Sequence, residues 1–299
     1  MPFAPQPFAN LFPSLPVLSV FSNLTADAVA AMFQKRQFLH LAAALTAAAF
    51  LAACQKPVTD PAAVGATPAP RVLTIGTDPT HAPFESQNEK GEIVGFDIDV
   101  ARAAARKAGL EVKFVSTPWA GAFAALTQGQ RDLLASAVTI TDQRRQTMDF
   151  SVPYFETTQM IAVPAKANVS GLNDLKKVRV GVKAATTGEE VVVKLLGKNS
   201  ASIKRFESTA LALADLAAGG VDAVVADHGV ISHYLAHHPD AKFKAVADGS
   251  FEPEFYGLAF QKSQTELLTL FNQGIAGIKD DGSFQKIYEH YFRRGGAAK

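Results

Sequence analysis

The chain has 299 residues, a formal net charge of +1, one Cys and one Trp. Such a charge balance gives no electrostatic reason to expect nucleic-acid binding, and a lone Cys excludes an intramolecular disulfide. Hydrophobic residues make up 48% of the sequence, enough for the core of one large or two ordinary domains.

The first seventy residues read as targeting rather than fold. Residues 1–31 are rich in Pro and Phe, with Asp27 as the only charged side chain, and Met32 stands just before Lys35 and Arg36. We therefore expect translation to start at Met32. Residues 35–54, KRQFLHLAAALTAAAFLAAC, combine a charged n-region with an apolar run too short to span a bilayer comfortably. Their end, Leu51-Ala52-Ala53-Cys54, resembles the lipobox of a bacterial lipoprotein. That resemblance implies lipidation at Cys54, a membrane tether and a cell-envelope location; an ordinary secretory signal with a chance Cys is the competing reading. Residues 55–70, QKPVTDPAAVGATPAP, form a Pro/Ala linker.

From residue 71 onward, strand and helix signals alternate. Val72–Gly76 is a strand, and TDPTHAPFE is a loop with two prolines. Residues 99–109 are a helix stopped by Gly109, Glu111–Val115 a strand, Trp119–Gln128 a helix, and Leu133–Ala137 a strand. The pattern then restarts, with strands at 160–163, 178–182, 203–206, 223–226, 243–246 and 256–260. Helices are expected from Gly188, at 211–218 and at 230–237, and two more close the chain at 266–280 and 283–292. A βαβαβ order argues for parallel sheets with both faces covered. Ligands of such sheets sit beyond the carboxyl ends of the strands. Those ends carry Asp78, Trp119, Ser136–Thr141, Lys183–Thr187 and Asp227.

Residues 131–146, RDLLASAVTITDQRRQ, read as a buried strand, a polar turn and a first helical turn bearing Arg144. A helix N-terminus and a guanidinium aimed at one point suit a carboxylate. Thr141 or Asp142 is expected to cap that turn. Thr187 with Glu190 has the spacing of a capping box. An exposed ion pair at Arg144, a helix cap at Asp227 and pure capping at Thr187 are the competing structural readings. No Cys/His metal spacing and no nucleotide P-loop is found, so no cofactor is expected.

Four blocks occur in order: GTDPTHAPFE (76–85), GEIVGFDIDVARAAARKAG (91–109), the strand followed by TITDQRR, and VDAVVAD (221–227). Together they resemble the periplasmic polar amino-acid-binding proteins of ABC uptake systems (bacterial extracellular solute-binding proteins, family 3) over residues 71–295. The resemblance implies an α/β fold of two Rossmann-like lobes joined by two crossing strands, a venus-flytrap. Lobe 1 is expected at 71–158 plus 256–296, lobe 2 at 159–250, and part of the hinge at 251–255.

It also implies site roles. Arg144 holds the α-carboxylate of a free amino acid, and Thr186 and Thr187 match carboxylate-contacting positions; Thr139 matches a position that offers a hydroxyl and an N–H, with a turn-forming role as the competing reading. Asp227 pairs with the α-ammonium, and the Ala137 carbonyl accepts from it. Ser136 is a weaker candidate. Trp119 covers the ligand's aliphatic part, and His81 stands where the family has Tyr or Phe. Asp78 meets the far end of the ligand and Lys183 lies beside it. An acceptor next to an ammonium complements a carboxamide, so glutamine is the expected ligand; the alternative is a basic amino acid of the arginine, lysine or histidine type, with Lys183 turned to solvent. The implied partners are the membrane subunits of an ABC permease, the protein acting as a monomer. A cyclohexadienyl dehydratase-like enzyme on the same fold is the enzymatic alternative, for which no unassigned acid is evident. A sensor domain of a signalling protein is the third.

Overall fold

The computed structural model describes residues 71–292. The signal segment, Cys54 and the Pro/Ala linker lie outside them. Two five-stranded sheets organise these residues. The first has the order Val112–Ser116, Leu73–Thr77, Leu133–Leu134, Ala259–Gln261, Met148–Phe150. The second has the order Ile203–Phe206, Val180–Lys183, Ala223–Asp227, Gln159–Pro164, Phe243–Val246.

The alternation led us to expect parallel sheets, but each sheet is mixed. In each, the fourth strand runs antiparallel to both of its neighbours. The cause is connectivity. Phe155–Thr157 and Glu254–Tyr256 pair antiparallel as a separate two-stranded crossing. Each then leads directly into the reversed strand of the sheet that follows it in sequence. The single strand expected at 256–260 is therefore two elements: Tyr256 ends the crossing, and Ala259–Gln261 joins the first sheet.

Period-two alternation buries opposite sides of the same strand in different cores. Leu133 packs with Ile75, Phe96, Phe260 and Phe271, whereas Leu134 packs with Trp119, Leu126, Met148 and Ala259. In the second sheet, Val225 faces Val182, Val192 and Ile161, while Val224 faces Leu213, Leu216 and Ile231.

The helix Phe96–Lys107 begins three residues earlier than its apolar periodicity suggests. Its first N–H groups are satisfied by tertiary contacts: Phe96 donates to the Pro83 carbonyl and Asp97 to the Phe84 carbonyl. Gly95, at φ 142°, makes this approach possible; a Cβ there would sit 2.1 Å from the Phe84 carbonyl oxygen. The stretch read as a plain loop after the first strand forms a small three-stranded sheet of Thr80–His81, Glu85–Gln87 and Ile93–Val94. Strands this short leave too little periodicity to read. The long helix Thr265–Asp280 crosses Phe96–Lys107 at Gly274, where a Cβ would meet the Ala104 carbonyl oxygen at 2.2 Å.

Candidate functional site

The carboxyl ends of parallel strands from both sheets converge on a small cavity. Its walls are His81, Trp119, Ser136, Ala137, Thr139, Arg144, Lys183, Thr186, Thr187 and Asp227. Asp78 joins them through Lys183, whose Nζ donates to Asp78 Oδ2 at 2.7 Å. The residues proposed from sequence as ligand contacts are thus gathered at one place.

Arg144 is 9% exposed. Its Nη1 donates to the Thr139 carbonyl at 2.8 Å and its Nη2 to the Ala185 carbonyl at 3.4 Å. The guanidinium carbon lies 5.5 Å from the Trp119 ring centroid and 5.1 Å from that of Phe123. Burial lowers its pKa, and the nearby carboxylates of Glu190, Glu254 and Asp227 oppose that. A cation so enclosed and short of a directly bonded carboxylate suits an incoming anion. The helix carrying it, Asp142–Arg145, has only four residues. It is too short to supply the N-terminal anion site expected from sequence, so the guanidinium is the main attraction in that wall. Thr141 is the cap, its hydroxyl accepting from the Arg144 N–H.

Asp227 ends its strand with no side-chain capping bond to the helix that follows, which removes the capping reading. Its Oδ2 lies 3.2 Å from His81 Nε2, and its Oδ1 accepts from Gln159 Nε2 at 2.9 Å. His81 therefore points a ring nitrogen at the acid and does not present a bare aromatic face. Trp119 Nε1 donates to the Ala185 carbonyl at 3.2 Å, and the Lys183 Nζ sits 5.1 Å from the Trp119 centroid. One indole thus lies close to two cations.

Two non-glycine residues in the left-handed region face this cavity or its rim, Ala137 at φ 46° and Ala185 at φ 58°. That backbone costs free energy and persists where the surroundings over-determine it. The capping box falls one residue earlier than expected. Thr186, and not Thr187, is the N-cap of the helix Thr187–Leu196, accepting from the Glu189 N–H, while the Glu189 carboxylate accepts from the Ala185 N–H. The Thr186 hydroxyl also donates to the Lys183 carbonyl. Both of its roles are filled, so a direct contact from this hydroxyl to a ligand carboxylate is not available.

Glu254 is the residue the sequence reading missed. It lies on the crossing strand, and its Oε2 accepts from the hydroxyls of Thr139 (3.0 Å) and Thr187 (2.7 Å). Its Oε1 accepts from Gln159 Nε2 at 2.9 Å. These hydroxyls, expected to serve a ligand, are committed to a protein carboxylate instead. Burial and the neighbouring Asp227 raise the Glu254 pKa. No motif marks Glu254 or Gln159. Tertiary contacts alone bring them against Thr139, Thr187 and Asp227 in the cavity wall.

With this geometry in view, the comparisons are direct. The model of the bacterial extracellular solute-binding proteins, family 3, matches residues 73–294, and the chain belongs to that family. A probable histidine-binding protein of Neisseria gonorrhoeae is 40% identical over 258 residues, covering 86% of this chain and 96% of the relative. The arginine-, lysine-, histidine-binding protein ArtJ of Geobacillus stearothermophilus is 39% identical with a TM-score of 0.72, covering 77% of this chain and 97% of that one. An ancestral arginine-binding protein bound to glutamine is likewise 39% identical, with a TM-score of 0.70, covering 74% and 97%.

Proposed function

We propose that this protein is a periplasmic receptor that captures a free amino acid, with histidine as the preferred ligand, and delivers it to an ABC permease. The supporting observation is the pairing of chemically opposed groups around one cavity. Arg144, aided by the N–H groups at the start of the helix Thr187–Leu196, takes the α-carboxylate. Asp227 and the Ala137 carbonyl take the α-ammonium.

The distal end decides the ligand. Asp78 and Lys183 are 5% and 4% exposed and paired with each other. That arrangement removes the expectation that Lys183 turns to solvent. A lysine or arginine side chain entering here meets a buried ammonium, and a carboxylate side chain meets Asp78. A neutral imidazole avoids both conflicts: one ring N–H donates to Asp78 and the other nitrogen accepts from Lys183. The relative named as a probable histidine-binding protein favours this choice over glutamine. Glutamine is the second reading, because a carboxamide also offers one donor and one acceptor, and the ancestral protein holds glutamine.

Binding is favoured over catalysis. Glu254 is an acid beside the cavity, but both its oxygens accept hydrogen bonds from Thr139, Thr187 and Gln159. It therefore has no proton aimed at a ligand.

Calorimetry with histidine, glutamine, arginine and lysine tests the reading. Histidine is expected to bind most tightly at pH 7.5 and to weaken as pH falls below about 6.5, where its imidazole charges. Glutamine affinity keeps no such dependence on the side chain. Tightest binding of arginine would sink the neutral-imidazole argument, and binding of no amino acid would sink the whole reading.

A further inference from the structure

Two carboxyls take no part in the contacts above, Glu85 at the end of TDPTHAPFE and Asp97 in GFDID, yet each is hydrogen-bonded to a residue of the site. Glu85 is 1% exposed and Asp97 0%. Glu85 Oε1 accepts from the Ser136 hydroxyl at 3.1 Å, and the same hydroxyl oxygen accepts from the Asp78 N–H at 2.9 Å. Asp97 Oδ2 accepts from the Ala137 N–H at 2.7 Å and from the Tyr154 hydroxyl at 2.6 Å. One acid thus orients Ser136 and, through it, the backbone of Asp78. The other holds Ala137 in its left-handed conformation.

We infer that Glu85 and Asp97 act together as positioning residues for the amino-acid site, and that full ligand affinity requires the pair to retain a proton. This inference rests on the amino-acid-binding reading of the same cavity. The groups facing the pair are Asp78, Lys183, Tyr154, Tyr256 and Ser136, with His81 opposite Glu85 across the strand pair. Among them the only ammonium is Lys183, already engaged by Asp78, and the His81 Nε2 is turned to Asp227. Two fully ionised carboxylates beside Asp78 would leave buried negative charge without a counter-ion. Two further carboxyl oxygens, Glu85 Oε2 and Asp97 Oδ1, are buried and accept from no protein donor, which disfavours full ionisation of the pair.

The electrostatics agree. Burial first, and Asp97 second, push the Glu85 carboxyl well above the usual range, while Lys183 pulls it down. Burial lifts Asp97 to about 7 against the bonds from Tyr154 and Ala137. Loss of a proton from the pair adds buried negative charge that competes with Asp78 for the Lys183 ammonium. The distal wall of the site then loosens, so affinity falls as pH rises.

The test compares the histidine affinity of the wild type with that of Glu85→Gln between pH 6 and 8.5. Gln keeps an acceptor for Ser136 and stands in for protonated Glu. Taking the ratio of the two dissociation constants at each pH cancels the ligand's own titration. The ratio is expected to stay near one at pH 6 and to rise at least about fivefold by pH 8.5. A ratio that does not change with pH, or a Glu85→Gln protein that binds poorly at pH 6 while melting like the wild type, overturns the inference. Asp97→Asn, read the same way, covers the case in which Glu85→Gln fails to fold. Failure of the wild type to bind any amino acid at pH 6 would instead refute the underlying reading.

Discussion

Truncating Arg144 to Ala removes two hydrogen bonds and the cation on one wall of the cavity. Charge-assisted bonds are worth roughly 1.5–3 kcal/mol each, so histidine affinity measured by calorimetry should fall at least about a hundredfold. Arg144→Lys should recover little of it, because an ammonium cannot span a carboxylate with two parallel donors. Lys183→Met probes selectivity at the opposite end. It leaves Asp78 without its 2.7 Å partner. Arginine should then gain at least about tenfold and histidine should lose, since an unpaired buried carboxylate prefers a ligand cation. Loss of both ligands to the same extent would show that the ion pair is structural and does not select. Asp227 and Lys183 were legible because each is an ionisable residue that ends a strand, and Arg144 because it stands in the short helical turn after a buried strand and a polar turn. Glu254 was not, because its neighbours in sequence, Pro253 and Phe255, carry no periodic or turn signal that places its carboxylate under Thr139 and Thr187.

Element boundaries decide which hydroxyls are free. The helix Thr187–Leu196 starts with Thr186 as its cap, one position before the box read from sequence. Thr186→Ala removes the acceptor for the Glu189 N–H and should cost about 1 kcal/mol, lowering the melting temperature by a few degrees. If the hydroxyl only caps, histidine affinity should change by less than about threefold. A larger loss of affinity would restore Thr186 as a ligand contact. Gly274→Ala tests the helix crossing. The added Cβ would lie 2.2 Å from the Ala104 carbonyl oxygen. The two helices must then separate, at about 1–3 kcal/mol or more. Thermal denaturation should show this as a lower midpoint, and calorimetry as an unchanged dissociation constant, because the crossing lies in the core behind the first sheet.

At the scale of the whole molecule, the contacts across the cavity join the carboxyl ends of one sheet to those of the other. Asp78 meets Lys183, His81 meets Asp227, and Trp119 and Arg144 both reach Ala185. A ligand that touches both walls adds to this bracing, and only such differential contact can favour a closed form. Histidine at a hundred times its dissociation constant should stabilise the fold by about 2.7 kcal/mol, visible as a raised melting temperature. Stability should also depend on pH in a defined direction. Burial raises Asp97 from 3.8 to about 7. The folded state therefore holds more protons than the unfolded state between those values, and stability is lost as pH rises through about 7. Urea midpoints should be higher at pH 5 than at pH 8, and Asp97→Asn should flatten the slope. A midpoint that climbs from pH 5 to pH 8 would contradict the burial argument.

Local pattern determined much of this protein by itself. The alternation of apolar runs and helical stripes, the Gly stops, and the polar residues that end the strands carry the two-sheet plan and most of the cavity wall, because each follows from periods of 2 and 3.6 along a continuous segment. Tertiary structure alone decided three things: the reversal of one strand in each sheet, the placement of Glu254 and Gln159, and the pairing of Lys183 with Asp78. These depend on residues far apart in the chain, such as Asp78 and Lys183 or Thr139 and Glu254, and no local period encodes which distant side chain will share a buried space. The proposed ligand changed from glutamine to histidine on other grounds: both fit an acid beside an ammonium, and the names of the relatives, not the pairing of side chains, favour histidine.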